Sequence, residues 1–176
     1  MSKKALFLDR DGVINIEKDY LYKIEEFEFI DGIFDLCRFF QEKDYEIFVV
    51  TNQSGIDRGY YNEEDFQALT QWMVEAFKKE AVKITHVYHC PHHPDISGPC
   101  ECRKPKPGML YDAIKTYDID VVGSLLVGDK ERDIEAGQAA GLSYTYLFTH
   151  ENSSSSATKI VDSLRDIIKE FHDTSG

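Results

Sequence analysis

The chain has 176 residues, 42% of them hydrophobic and 30% charged, which fits one folded domain and is too apolar for a disordered segment. A chain of this length buries ~70% of its unfolded surface, so a core needs neither disulfides nor a metal. Twenty Lys+Arg against 32 Asp+Glu leave a net charge of −12, which argues against a general nucleic-acid binder but not against a small anionic substrate at a locally basic spot. No apolar run approaches the ~20 residues that cross a bilayer, and residues 1–9 lack the apolar stretch of a secretory signal. A cytoplasmic chain with no membrane or nucleic-acid partner is therefore expected.

Near-continuous apolar runs at 5–8, 46–50, 86–89, 124–127 and 144–148 read as strands buried on both faces. Helical patterns lie between them. Residues 31–41 carry Ile33, Phe34, Leu36, Cys37 and Phe40 on one stripe, where Cys37 reads as core. Asn62, with Asp65 three residues on, caps a helix through Phe66, Leu69, Met73 and Phe77. Pro107 opens another through Leu110 and Ile114, and 131–140 forms a fourth that Gly141 stops. Residues 151–158, with four consecutive serines, read as a mobile surface loop, and 160–171 as a short apolar segment with a closing helix. This alternation predicts an α/β fold: a three-layer Rossmann-like sandwich with a mainly parallel sheet, formed by residues 1–176 as one domain.

Ligands of parallel α/β sheets bind beyond the carboxyl ends of the strands, so the polar residues there belong together. The first run delivers Asp9-Arg10-Asp11-Gly12, the second Thr51-Asn52-Gln53-Ser54-Gly55, and the fourth Gly128-Asp129-Lys130 with Asp133 beyond. Arg103-Lys104-Pro105 precedes a helix on the same side. Carboxylates that would repel one another can share Mg²⁺, and one of them can serve as a nucleophile toward phosphorus. A hydroxyl and a lysine suit the charge that builds on phosphoryl oxygens. Lys130 and Asp133 also admit a plain helix-face ion pair, and Arg58 reads as a solvated surface arginine.

Phe-Leu-Asp9-Arg-Asp11-Gly, Val-Val-Thr51-Asn, Lys104-Pro and Val-Gly-Asp129-Lys-Glu-Arg-Asp133 resemble the four ordered motifs of the haloacid dehalogenase (HAD) superfamily of phosphatases. Phe-Glu-Phe-Ile-Asp-Gly, Thr-Asn-Gln-Ser-Gly-Ile and Cys-Arg-Lys-Pro-Lys-Pro-Gly-Met further resemble its heptose bisphosphate phosphatase branch, over residues 5–148. The resemblance implies a Mg²⁺-dependent enzyme that removes the 7-phosphate of a heptose 1,7-bisphosphate, of β configuration, in bacterial heptose synthesis for lipopolysaccharide or another glycan. Asp9 would be the nucleophile and Asp11 the acid and base. Thr51 and Lys104 would stabilise the transferring group. Asp9, Asp129 and the backbone carbonyl of Asp11 would hold Mg²⁺, with Asp133 in support or orienting Lys104. Glu17, Tyr20, Thr51, Asn52, Gln53, Ser54, Arg103, Lys104 and Lys130 would meet the sugar bisphosphate.

Cys90-Pro-His92-His93 and Cys100-Glu-Cys102 supply a Cys₃His set with no open position, which makes a structural zinc site. Cys90, His92, Cys100 and Cys102 match the zinc loop of the branch, while His89 and His93 are rival donors. No insertion large enough for a cap domain follows the first motif, so a capless, open crevice and a monomer are expected. Histidinol-phosphate phosphatases, with a similar zinc loop, are the alternative branch. A catalytically silent zinc-containing interaction module is a third reading, against which no catalytic position is missing.

Overall fold

A computed structural model describes residues 2–175, with side chains through residue 171. Six strands, β1 (Ala5–Leu8), β2 (Glu46–Asn52), β3 (His86–Cys90), β4 (Leu125–Gly128), β5 (Tyr144–Phe148) and β6 (Lys159–Val161), form one sheet in the order β3-β2-β1-β4-β5-β6. Every pairing is parallel. The order runs outward in opposite directions from β1 and β4, so a topological switch point falls between them.

Successive side chains of a strand face opposite layers. Leu6, Leu8, Val49 and Val127 pack with Leu36 and Phe40 of α1 (Ile33–Glu42), Leu69, Met73 and Phe77 of α2 (Glu63–Lys79), and Leu164 and Ile167 of α6 (Leu164–Ser175). Phe7, Phe48, Val50 and Leu126 face the other way. They meet Met109, Leu110 and Ala113 of α4 (Gly108–Tyr117) and Ile134 and Ala136 of α5 (Glu131–Ala139). The α/β three-layer sandwich expected from the sequence is therefore the architecture, and among the described residues no inserted domain covers the strand ends.

Local chemistry sets the helix starts. Asp65 N donates to Asn62 Oδ1 at 2.8 Å and Asn62 N to Asp65 Oδ2 at 3.1 Å, the reciprocal capping expected for α2. A short α3 (Pro94–Ser97) lies in the cysteine loop, and β6 is an edge strand that the sequence did not announce. Ser155 and Ser156 donate to Glu131 at 2.5 and 2.6 Å, which ties the end of the serine-rich segment to α5. Cys37 is buried core, and burial pushes its thiol far above the usual range.

Candidate active site

Asp9 continues the β1 ladder, its N donating to Val127 O at 3.1 Å, and so projects at the switch point. Lys104 Nζ donates to Asp9 Oδ1 at 2.9 Å and to Val50 O at 2.8 Å, and lies 2.7 Å from Asp133 Oδ1. At 3% exposure this ammonium is buried, with two hydrogen bonds made and Asp133 beside it as an ion-pair partner. Burial alone would lower its pKa, but Asp133 and Asp9 outweigh that and raise it. Lys130 N donates to Asp133 Oδ2 at 3.1 Å, so Asp133 caps α5 with one oxygen and steadies Lys104 with the other. Asp133 meets the backbone of Lys130.

Asp9, Asp129 and Asp133 each bring a carboxylate oxygen within 4.8 Å of the others. Burial first, then Asp133, push Asp9 well above the usual carboxylate range against the pull of Lys104. Burial likewise raises Asp129. One ammonium does not balance three clustered carboxylates, and hard oxygen donors of this kind suit Mg²⁺. Gly12 has φ +96°, and a Cβ there would lie 2.1 Å from Asp129 Oδ2. Only glycine lets the first loop pass so close.

Asp11 lies apart from that trio. Its Oδ1 accepts from Asn15 Nδ2 at 3.0 Å, and its Oδ2 accepts from Gln53 Nε2 at 3.0 Å and meets Arg10 Nη2 at 3.1 Å. Arg10 is 1% exposed and also donates to Leu21 O at 3.0 Å, tying the first loop to the segment that follows it. Thr51 lies buried beneath the cleft, its Oγ1 accepting from Gln53 Nε2 at 2.9 Å.

Above this floor opens a cleft of about 320 Å³. Glu17, Tyr20, Asn52, Gln53, Ser54, Arg103 and Lys130 line it, as the sequence led one to expect, together with Asp9, Asp11, Lys104 and Asp129. Thr51 and Asp133 sit below the lining. Asp19, inside the Glu17–Tyr20 stretch expected to meet substrate, also lines the cleft, as does Arg58, which reads from sequence as a solvated surface arginine; Tyr61 and Arg132 line it too and escaped the sequence reading. Arg58 lies over the Tyr20 ring, 5.6 Å from its centroid. Burial, then Arg132 and Arg58, depress the Arg103 guanidinium, so three arginines crowd one rim of the cleft. Arg58 stands three residues after Thr-Asn-Gln-Ser-Gly and Arg132 directly before Asp133, which was the available signal.

The cysteine loop follows β3. Cys100 Sγ lies 3.7 Å from both Cys90 Sγ and Cys102 Sγ, while Cys90 and Cys102 are in disulfide contact. That contact departs from the three separate thiolates expected. His92 Nδ1 is buried with no hydrogen-bond partner among the described residues. The rival imidazoles are engaged: His93 Nδ1 accepts from Asp95 N at 3.1 Å, and His89 Nε2 pairs with Glu63 Oε1 at 2.9 Å. Arg103 Nη1 reaches His92 O at 3.4 Å, which links this loop to the cleft rim.

A buried carboxylate–lysine floor at the switch point of a parallel α/β sheet defines a HAD-like phosphatase, and the HAD-hydrolase-like family model matches residues 101–167. The chain is 48% identical over 97% of its length, and 97% of the relative's, to D-glycero-alpha-D-manno-heptose-1,7-bisphosphate 7-phosphatase of Campylobacter jejuni. It is 42% identical, over 95% of both chains, to the beta-named 7-phosphatase of Vibrio cholerae. The chain belongs to the family of D-glycero-D-manno-heptose-1,7-bisphosphate 7-phosphatases. The D,D-heptose 1,7-bisphosphate phosphatase structure from B. bronchiseptica, complexed with magnesium and phosphate, superposes with a TM-score of 0.85 at 29% identity, covering 97% of this chain and 99% of that one.

Proposed function

We propose that the protein hydrolyses the 7-phosphate of D-glycero-D-manno-heptose 1,7-bisphosphate, releasing heptose 1-phosphate and inorganic phosphate. The observation that carries this reading is the pairing of a buried Asp9–Lys104 floor with a rim of Arg58, Arg103 and Arg132. The floor suits one phosphoryl group, and the rim suits a second anion on the same substrate. Histidinol phosphate carries basic nitrogens where the rim offers cations, so the arginines disfavour it.

Asp9 Oδ1 is taken by Lys104 Nζ and by Arg10 N at 2.9 Å, which leaves Oδ2 to attack phosphorus and form an aspartyl-phosphate. Asp11 donates a proton to the departing sugar alkoxide, then as carboxylate takes one from the water that hydrolyses the acyl phosphate. Lys104 and the Thr51 hydroxyl meet phosphoryl oxygens. Asp9, Asp129 and the backbone carbonyl of Asp11 would hold Mg²⁺, with Asp133 in support, and the ion supplies charge neutralisation between carboxylates and phosphate.

The same reading assigns Cys90, His92, Cys100 and Cys102 to a structural Zn²⁺. The orphaned His92 Nδ1 and the convergence of three sulfurs support it, and the committed His89 and His93 leave His92 as the imidazole donor. Clustered thiols used this way suit a reducing compartment, so the reading places a monomeric enzyme in the cytoplasm.

Phosphate release with Mg²⁺ from both heptose 1,7-bisphosphate anomers and from histidinol phosphate tests the proposal. A large kcat/KM advantage for a heptose anomer supports it and fixes the anomer. An advantage for histidinol phosphate, or no release at all, overturns it.

A further inference from the structure

Tyr61 lies too deep to be an ordinary surface tyrosine. Its ring stacks on Tyr22, 5.5 Å between centroids at 15°, and presses on the chain at Gly55. A Cβ at Gly55 would stand 2.3 Å from the Tyr61 ring, so that position holds glycine for the ring to seat. The buried phenol donates to Gln53 Oε1, whose only other donor among the described residues, Arg10 Nη2, is at a long 3.4 Å.

An amide has one acceptor end and one donor end, so fixing the first fixes the second. With Oε1 held by Tyr61, Gln53 Nε2 donates to Asp11 Oδ2 at 3.0 Å and to Thr51 Oγ1 at 2.9 Å. Those are the groups to which the proposed function gives proton transfer and phosphoryl stabilisation. Because Thr51 Oγ1 accepts from Gln53, its own hydrogen has only Asn52 O, at a weak 3.5 Å, and is free to turn to a phosphoryl oxygen.

We infer that Tyr61 is a positioning residue that acts through Gln53, setting the carboxylate of Asp11 and the hydroxyl of Thr51 in register with each other. This rests on the proposed phosphatase reading. The phenol touches neither group, so its effect passes entirely through the amide. Burial holds the phenol well above its ordinary range, which keeps it a donor in neutral solution.

The test is a double-variant cycle on phosphate release from heptose 1,7-bisphosphate with Mg²⁺. Tyr61→Phe keeps the ring against Gly55 and Tyr22. It is expected to lower kcat about tenfold with KM within about twofold, since the loss falls on alignment rather than on binding. Gln53→Ala lowers kcat at least as far, and the double variant falls no further than Gln53→Ala alone. A structural role would give multiplying losses, and that result, or wild-type kcat in Tyr61→Phe, overturns the inference. Should Tyr61→Phe not fold, Gln53→Met carries the test: reduced kcat with retained KM supports the relay, and unchanged kcat overturns it. Wild-type protein inactive on every phosphoester overturns the function and the relay together, whereas active wild type with multiplying losses overturns the relay alone.

Discussion

Asn52 clasps the backbone of Lys104 from both sides: Lys104 N donates to Asn52 Oδ1 at 3.0 Å, and Asn52 Nδ2 donates to Lys104 O at 3.2 Å. The last residue of β2 thereby holds a lysine that comes from the far side of the cysteine loop. Sequence reading placed Asn52 among substrate contacts; its side-chain amide is used on Lys104, although the residue also lines the cleft.

Asn52→Ala should lower kcat about tenfold, by releasing Lys104 from Asp9, and cost about 1 kcal/mol of stability per lost bond. Asn52→Asp keeps the acceptor and loses the donor, so its rate should fall between the two. Steady-state kinetics on the three proteins decide it, and wild-type kcat in Asn52→Ala removes the clasp from the catalytic account.

Lys104→Met strips the ammonium that contacts both Asp9 and Asp133. Activity should drop at least about 10²-fold. Urea unfolding should show a loss of about 3 kcal/mol, because buried carboxylates are left uncompensated. Adding Asp133→Asn should restore part of that stability without restoring activity. A double variant less stable than Lys104→Met would refute the charge-balance argument.

At the rim, Arg58→Ala and Arg132→Ala should each raise KM for the bisphosphate about five- to tenfold and leave turnover of a monophosphorylated sugar unchanged. Equal effects on both substrates would mean that these arginines do not serve a second phosphate.

Asp9 and Asp129 have pKa values raised by folding, so their ionisation costs stability as pH climbs through the raised values. Below that range protons already neutralise them and a cation gains little. The rise in Tm given by Mg²⁺ should therefore be smaller at acid pH than at neutral pH. An equal rise at both would show that these carboxylates do not bind the ion.

Reduced, purified protein should carry one zinc per chain, and His92→Ala or Cys100→Ala should lower that content, whereas His93→Ala should not. Protein that contains no zinc, with Cys90 and Cys102 resistant to alkylation before reduction, would establish the disulfide pairing in its place.

The strand-end residues were legible because parallel strands place them on one edge and their spacing is short: Asp9 beside Asp11, and Asp129 four before Asp133. The capping pair Asn62 and Asp65 was legible for the same local reason. What escaped depends on contacts distant in sequence. Arg58 is solvent-exposed and reads as a surface arginine despite its closeness to Thr-Asn-Gln-Ser-Gly, yet Arg103 from the cysteine loop brings it into a cationic rim. Tyr61 reads as one aromatic among several until Gly55 and Gln53 are seen to meet it. At three residues, β6 is too short to display a period.

The position of β1, paired on one side with β2 and on the other with β4, has a consequence for how the protein can change over time. Asp9 hangs from an interior strand, which should be the slowest part of the sheet to exchange its amide hydrogens. The side chains that would read the sugar sit instead mainly on the loops after β1 and β2, on the cysteine loop and at the start of α5, which lie outside the ladder. Chemistry and selectivity are thus carried by parts of different rigidity, and the loops can drift toward new phosphoesters while the strand that performs the transfer stays where it is.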